Sequence, residues 1–156
     1  METLNKMLTP EIMKLFPSGT AAPTFPEWVA NHAGLEQLLS IAGMLSPSFH
    51  EVKGHVVWDK HVADRLEKVV PGTPFGNDPE TVERYFNTIN LVEFFLMGAD
   101  EALDKDALVE AFGAVLRHFW GIALKARFPD RNYCFELGSD LFDEEGPCLT
   151  FWQDRR

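Results

Sequence analysis

Hydrophobic and polar positions follow two periods along this chain, and the change from one to the other predicts where helices give way to strands. Thr9-Pro10-Glu11 opens a short helix, with a threonine cap, a proline at the first helical position and an acid in the first turn. Ile12, Met13, Leu15 and Phe16 give it an apolar side, and Pro17 ends it. Residues 17–26, rich in proline and glycine, read as a loop. After Pro26-Glu27, the residues Trp28, Leu35, Leu38, Leu39 and Ala42 recur at helical spacing; Gly34 is placed to divide the segment, and Pro47 to stop it. Residues 52–58 are β-branched and aromatic, which predicts a short strand with a bulge at Gly54. A helix using Val62, Leu66 and Val69 or Val70 follows, and 71–78 is a loop.

Asp78-Pro79-Glu80 is a helix start, after which Val82, Tyr85, Phe86, Ile89, Val92 and Leu96 follow a 3.6 period. The pattern predicts a helix to about Met97 with Gly98 as its stop; the alternative is a buried strand over 89–96, because short apolar runs fit both. Asp104 is placed to cap the longest helix, 105–127. Leu108, Phe112, Val115, Phe119 and Ile122 form one stripe, and Val109, Leu116, Trp120 and Ala123 a second beside it. Two adjacent stripes imply a wide buried face and a central position, the organising rod of one apolar interior. Phe128-Pro129-Asp130 breaks the helix. Tyr133, Phe135 and Leu137 then alternate with Asn132, Cys134 and Glu136 as a half-buried strand, and 148–153 is the strand that returns. The expected fold is α+β: about five helices packed with a small antiparallel sheet formed by the C-terminal β-hairpin, with 52–58 as a third strand, all in one domain over residues 1–156.

Composition narrows the functions this fold can carry. The 156 residues are 46% hydrophobic, enough for a core that needs neither metal nor crosslink. Acids outnumber bases 24 to 14, for a net charge of −10. Residues 1–78 hold 9 acids and 6 bases, whereas 79–156 hold 15 and 8, so the acidic character lies in the C-terminal half. No cluster of Lys and Arg stands ready to displace counterions, which argues against nucleic acid and against an anionic membrane surface and favours basic partners. Two cysteines, Cys134 and Cys148, make no disulfide scaffold; whether they approach depends on hairpin register. Glu2, Lys6, Glu11 and Lys14 interrupt the first sixteen residues, so no signal peptide is read there, and no run of about 18 apolar residues predicts a membrane span. The expected location is the cytoplasm, with reduced thiols.

Candidate chemistry falls into two groups. His50, Glu51, His55, Asp59 and His61 combine imidazoles and carboxylates, the donors that suit zinc or iron, and on an unbroken strand Glu51, His55 and Asp59 would share a face. No HExxH spacing accompanies them, and histidines bordering a strand are the plainer reading, so neither metal nor cofactor is expected. Asp140, Asp143, Glu144 and Glu145 cluster at the hairpin tip without the spacing of an EF-hand loop. They read as a solvated turn whose charge discourages edge pairing and attracts a basic protein surface. Hydrolytic signatures are missing: there is no Gly-x-Ser-x-Gly elbow and no Gly-rich phosphate loop with a following lysine. His118 reads as a packed polar tip, and Asp104 and Asp106 as helix-start acids. Trp28, Trp58, Trp120 and Trp152 read as core anchors, but in Phe151-Trp152 one ring must face away from the core side, to be covered by the chain's own helices or by a partner, which makes Trp152 a candidate interface residue.

Trp120-x3-Leu124-x3-Phe128-Pro129-Asp130-Arg131, Tyr133-x-Phe135 and Gly146-Pro147-x-Leu149-Thr150-Phe151-Trp152-Gln153 resemble the tail of a group of small, acidic, uncharacterised bacterial proteins. The resemblance implies a helix, a Phe-Pro corner and a hairpin, and carries over no catalytic residues. The expectation is therefore a non-enzymatic protein-binding domain, of inhibitor or immunity type, that acts through its acidic C-terminal half. The alternatives are a small metal-dependent or ligand-binding enzyme using His50, His55 and His61, and a structural subunit that pairs through the hairpin edge.

Overall fold

A computed structural model describes Lys6 and residues 8–16, 24–69, 78–95 and 101–156. In chain order the described elements are α1 (Pro10–Met13), α2 (Phe25–His32), α3 (Leu35–Leu45), β1 (His50–Val52), β2 (His55–Val57), α4 (Lys60–Glu67), α5 (Pro79–Phe86), β3 (Ile89–Asn90), 3-10 turns at Glu93–Phe95 and Glu101–Asp104, α6 (Asp106–Arg127), β4 (Asn132–Ser139) and β5 (Pro147–Asp154). The class is α+β, with a C-terminal hairpin. The loop residues 17–23 and 71–77 and the helix stop at Met97-Gly98 lie outside the described residues.

The C-terminal sheet has the order β3-β5-β4, antiparallel throughout, so β5 is the middle strand. Its residues Cys148, Leu149, Thr150 and Phe151 are all buried, as a strand covered on both faces requires. On one face Phe151 meets Trp120 of α6 edge-on, with ring centroids 6.0 Å apart. On the other, Thr150 Oγ1 donates to the Arg84 carbonyl of α5 at 2.7 Å. The main core gathers Phe49, Val56, Leu91, Leu116, Trp120, Leu124, Leu149 and Phe151. Burying each such side chain contributes about 1.5–3 kcal/mol.

Four expectations are corrected. First, 52–58 is not one bulged strand and does not join the C-terminal sheet. β1 and β2 form their own antiparallel hairpin, with Val52 opposite His55. Lys53 (φ 52°) and Gly54 (φ 82°) turn the chain between them, and left-handed conformation at both central residues is what a tight hairpin turn demands. The third strand of the larger sheet is instead β3. Second, the helix expected to reach Met97 stops at Phe86, and among the described residues of the alternative strand over 89–96 only Ile89 and Asn90 are in β conformation. Asn87 ends the helix because its side chain is taken up elsewhere: Nδ2 donates to the carbonyls of Val56 at 2.8 Å and Phe151 at 3.1 Å. Third, α6 is central, but its buried face is Val109, Leu116, Trp120 and Leu124, closed by Ala111, Gly113 and Ala114; of the other stripe Leu108, Phe112, Val115 and Phe119 are half-buried and Ile122 is exposed. Its cap residue is Lys105, not Asp104, which sits in the preceding 3-10 turn. Fourth, among the described residues the interior is two clusters rather than one. Val56 faces the main core, while its neighbour Val57 faces a second cluster with Val62, Ala63, Leu66 and Phe86, as alternation along β2 dictates.

By length and composition α6 is apolar enough to cross a membrane. Here it is a core helix, docked on the sheet through Leu116, Trp120 and Leu124. The cysteines stand apart. Cys134 is opposite Trp152 and Cys148 opposite Gly138, four positions along the hairpin, or about 13 Å at strand rise. Both thiols are free, and burial pushes that of Cys148 above its ordinary value.

Candidate functional site

A cleft of about 300 Å³ opens between α4, the end of α5, β3 and the hairpin tip. Each wall comes from a different stretch of chain. Trp58 enters from the residue after β2, where it stacks on Trp120 at 5.6 Å and tilts against Phe94 at 6.1 Å. Val62 and Arg65 come from α4, Tyr85 and Phe86 from α5, and Glu93 and Phe94 from the first 3-10 turn. The tip contributes Phe142, Asp143 and Glu144. Five aromatic side chains therefore line one concavity, with three carboxylates and one guanidinium among them.

The tip is held in place by its own backbone and by β3. Asp140 Oδ1 accepts from the Gly146 N–H at 2.8 Å, and the Asp140 N–H donates to the Gly146 carbonyl at 2.9 Å. The Glu144 N–H donates to the Leu141 carbonyl at 3.1 Å. Asn90 joins the two sides of the cleft: Nδ2 donates to the Glu145 carbonyl at 2.6 Å, while Oδ1 accepts from Val92 N–H at 2.9 Å and Glu93 N–H at 3.3 Å. Phe142 has φ 55°, an unfavourable conformation for a bulky residue. Its ring packs edge-on against Tyr85 at 5.9 Å and lies under the Arg84 guanidinium at 5.8 Å.

The structure distributes the candidate residues unevenly. Of the tip acids, Asp143 and Glu144 line the cleft; Asp140 serves as the loop's latch, and Glu145 meets Asn90 through its carbonyl. Trp152 is half-buried on the α5 side of the sheet, under Arg84 at 4.6 Å, so the ring expected to face away from the core is covered by the chain's own arginine. The Arg84 guanidinium also pairs with Glu136. The metal candidates are not brought together. Glu51 pairs with Arg131 at 2.8 Å, Asp59 caps α4 through the His61 N–H at 2.7 Å, and the His61 side chain is exposed. The hairpin turn puts His50 opposite Val57, and His55 opposite Val52. Among the described residues no group of three His, Cys, Asp or Glu side chains is placed to hold a metal.

His55 has a different neighbour, Glu83, whose carboxylate is buried. Glu83 accepts from Val56 N–H at 3.1 Å, Gln153 N–H at 2.7 Å and both terminal nitrogens of Arg155, at 2.8 and 3.0 Å. His55 Nδ1 is 3.8 Å away, beyond hydrogen-bond range. Burial holds the imidazole below its usual pKa; the Glu83 charge opposes that shift and the Arg155 charge adds to it. A carboxylate engaged by four donors is a structural clasp, with no lone pair free to take a proton from a substrate.

Sequence reasoning did not identify Glu83, Asn90, Glu93 or the aromatic walls. One signal was there to be read: Glu83 lies three residues before Phe86, on the apolar side of α5, where a charged residue needs a partner. The cleft had no signal, because its walls are scattered between Trp58 and Glu144. No protein-family model matches the chain, and comparison with curated proteins and with solved structures finds no match.

Proposed function

We propose that the protein is a non-enzymatic binding protein of inhibitor or immunity type, acting in the cytoplasm, that engages a basic protein partner through its acidic C-terminal half. The observation that carries this reading is the meeting of Asp143 and Glu144 with Glu93 around a concavity walled by Trp58, Tyr85, Phe86, Phe94 and Phe142. Aromatic side chains in a concave, acid-rimmed site are the material of binding hot spots, and a net charge of −10 steers a basic partner toward it. The inhibitor type is argued from charge and size by analogy. The test is affinity capture from cell extract, with the partner identified by mass spectrometry. Capture should fall when salt is raised and when Asp143 and Glu144 are replaced by lysine. A partner retained equally by wild type and Asp143→Lys/Glu144→Lys at high salt overturns the reading.

A second reading, a structural subunit of an oligomer, draws on β4, which is eight residues long at the sheet's edge, and on α3, which exposes Leu35, Leu39 and Ile41. Light scattering over a range of protein concentrations decides it: a monomer mass at every concentration removes it.

A further inference from the structure

We propose that the cleft is a receptor for a guanidinium group, the head of an arginine side chain on the protein partner; this rests on the binding reading above and names its anchor. The cavity comes first. Its 300 Å³ accommodates one long side chain rather than a helix or a strand, and its walls offer Trp58, Tyr85, Phe86, Phe94 and Phe142. Such walls attract cations over their ring faces. Its charge comes second. Glu93, Asp143 and Glu144 line the cleft against a single Arg65, and none of the three carboxylates has a hydrogen-bond or ion-pair partner among the described residues. Four acids elsewhere are engaged by cations: Glu51 by Arg131, Glu83 by Arg155, Glu136 by Arg84 and Asp64 by Lys60. At this cleft, unpaired carboxylates and aromatic walls therefore coincide.

Two further features select guanidinium over ammonium. Arginine's head is planar, less strongly hydrated than an ammonium, and able to lie on a ring while its edge reaches carboxylates. This surface already holds guanidinium groups in that way: Arg65 lies over Phe86 at 5.7 Å within the cleft wall, and Arg84 over Phe142 at 5.8 Å and Trp152 at 4.6 Å just outside it. The acids also come from two elements with a fixed separation. Asn90 binds the Glu93 turn through Oδ1 and the tip through Nδ2, so little ordering is left for the ligand to impose.

The experiment is a nitrogen-15 NMR titration of the full chain with N-acetyl-arginine amide, alongside N-acetyl-citrulline amide, its uncharged isostere, and N-acetyl-lysine amide. The arginine probe is expected to shift the Trp58 indole and Asn90 side-chain resonances saturably, with a dissociation constant on the order of 1 mM. Lysine should bind several-fold more weakly and citrulline not at all. Glu93→Gln combined with Glu144→Gln, which removes no contact of the fold, should weaken arginine at least fivefold. No saturable shift, or equal binding of citrulline, overturns the proposal; if partner capture still responds to Asp143→Lys/Glu144→Lys, the acidic-face reading survives that failure. Arginine binding that does not compete with the captured partner also overturns it, because the anchor would then not be the partner's.

Discussion

Glu83 is the residue on which distant stretches of chain converge: the β1–β2 hairpin through Val56, strand β5 through Gln153, and the chain beyond it through Arg155. Glu83→Ala takes the acceptor from the Val56 and Gln153 N–H groups as well as the partner from Arg155, so it should cost about 3–5 kcal/mol in urea unfolding. Arg155→Ala should cost less, about 1–3 kcal/mol, because water reaches the place of a side chain that is 31% exposed. His55 predicts a pH response. Its folded pKa lies below the unfolded value, so between the two the unfolded chain binds the extra proton and stability falls as pH drops from about 7. Melting temperature measured from pH 7.5 to 5.5 should decline, and His55→Asn should flatten the decline; an unchanged slope in the variant refutes the assignment. Beyond the place of Glu83 on the apolar side of α5, none of this network was visible in the sequence. A helical period reports which face is apolar, and it says nothing about a carboxylate on that face whose partners lie 27 to 72 positions away.

Elements were legible where local chemistry decides them. Asp78-Pro79 starts α5 with the Asp78 carboxylate accepting from the Thr81 N–H, and Phe128-Pro129 closes α6 before a hairpin whose Tyr133, Phe135 and Leu137 pack against the main core. They were illegible where tertiary bonds override the period, as at Asn87, and where one turn residue decides between a bulge and a hairpin, as at Lys53-Gly54. Two helical glycines give an opposed pair of predictions. A Cβ at Gly113 would lie 2.6 Å from Leu137 Cδ1 and 2.8 Å from Leu91 Cδ1, so Gly113→Val should destabilise by about 1–3 kcal/mol through overpacking between α6 and the sheet. At Gly43 in α3 nothing lies within 4 Å of that position, and Gly43→Ala should stabilise by about 0.5–1 kcal/mol from backbone entropy alone. Equilibrium unfolding of both variants checks the pair, and a stabilised Gly113→Val would mean that α6 stands farther from β4 than described.

At the scale of the molecule, the apolar surface is divided between the packed sheet and helix α3, whose Leu35 is 73% and Leu39 64% exposed. Leu35→Lys and Leu39→Lys should each leave stability within about 0.5 kcal/mol of wild type by thermal unfolding, the behaviour of surface positions; a large loss would show that the helix is covered. The acidic excess of residues 79–156 was plain from composition, whereas the meeting of Glu93, Asp143 and Glu144 at one cleft depends on β3 and the tip lying side by side, which only the fold provides. The order β3-β5-β4 also has a temporal side. β5 lies downstream of both its neighbours, yet is the strand on which both must pair. A ribosome adding roughly 5–20 residues each second would thus expose α6 and β4 with their apolar faces unsatisfied until β5 clears the exit tunnel. A nascent chain stalled before Leu149 emerges should be held by chaperones and cut readily by protease, and the same chain extended past Arg155 should resist both.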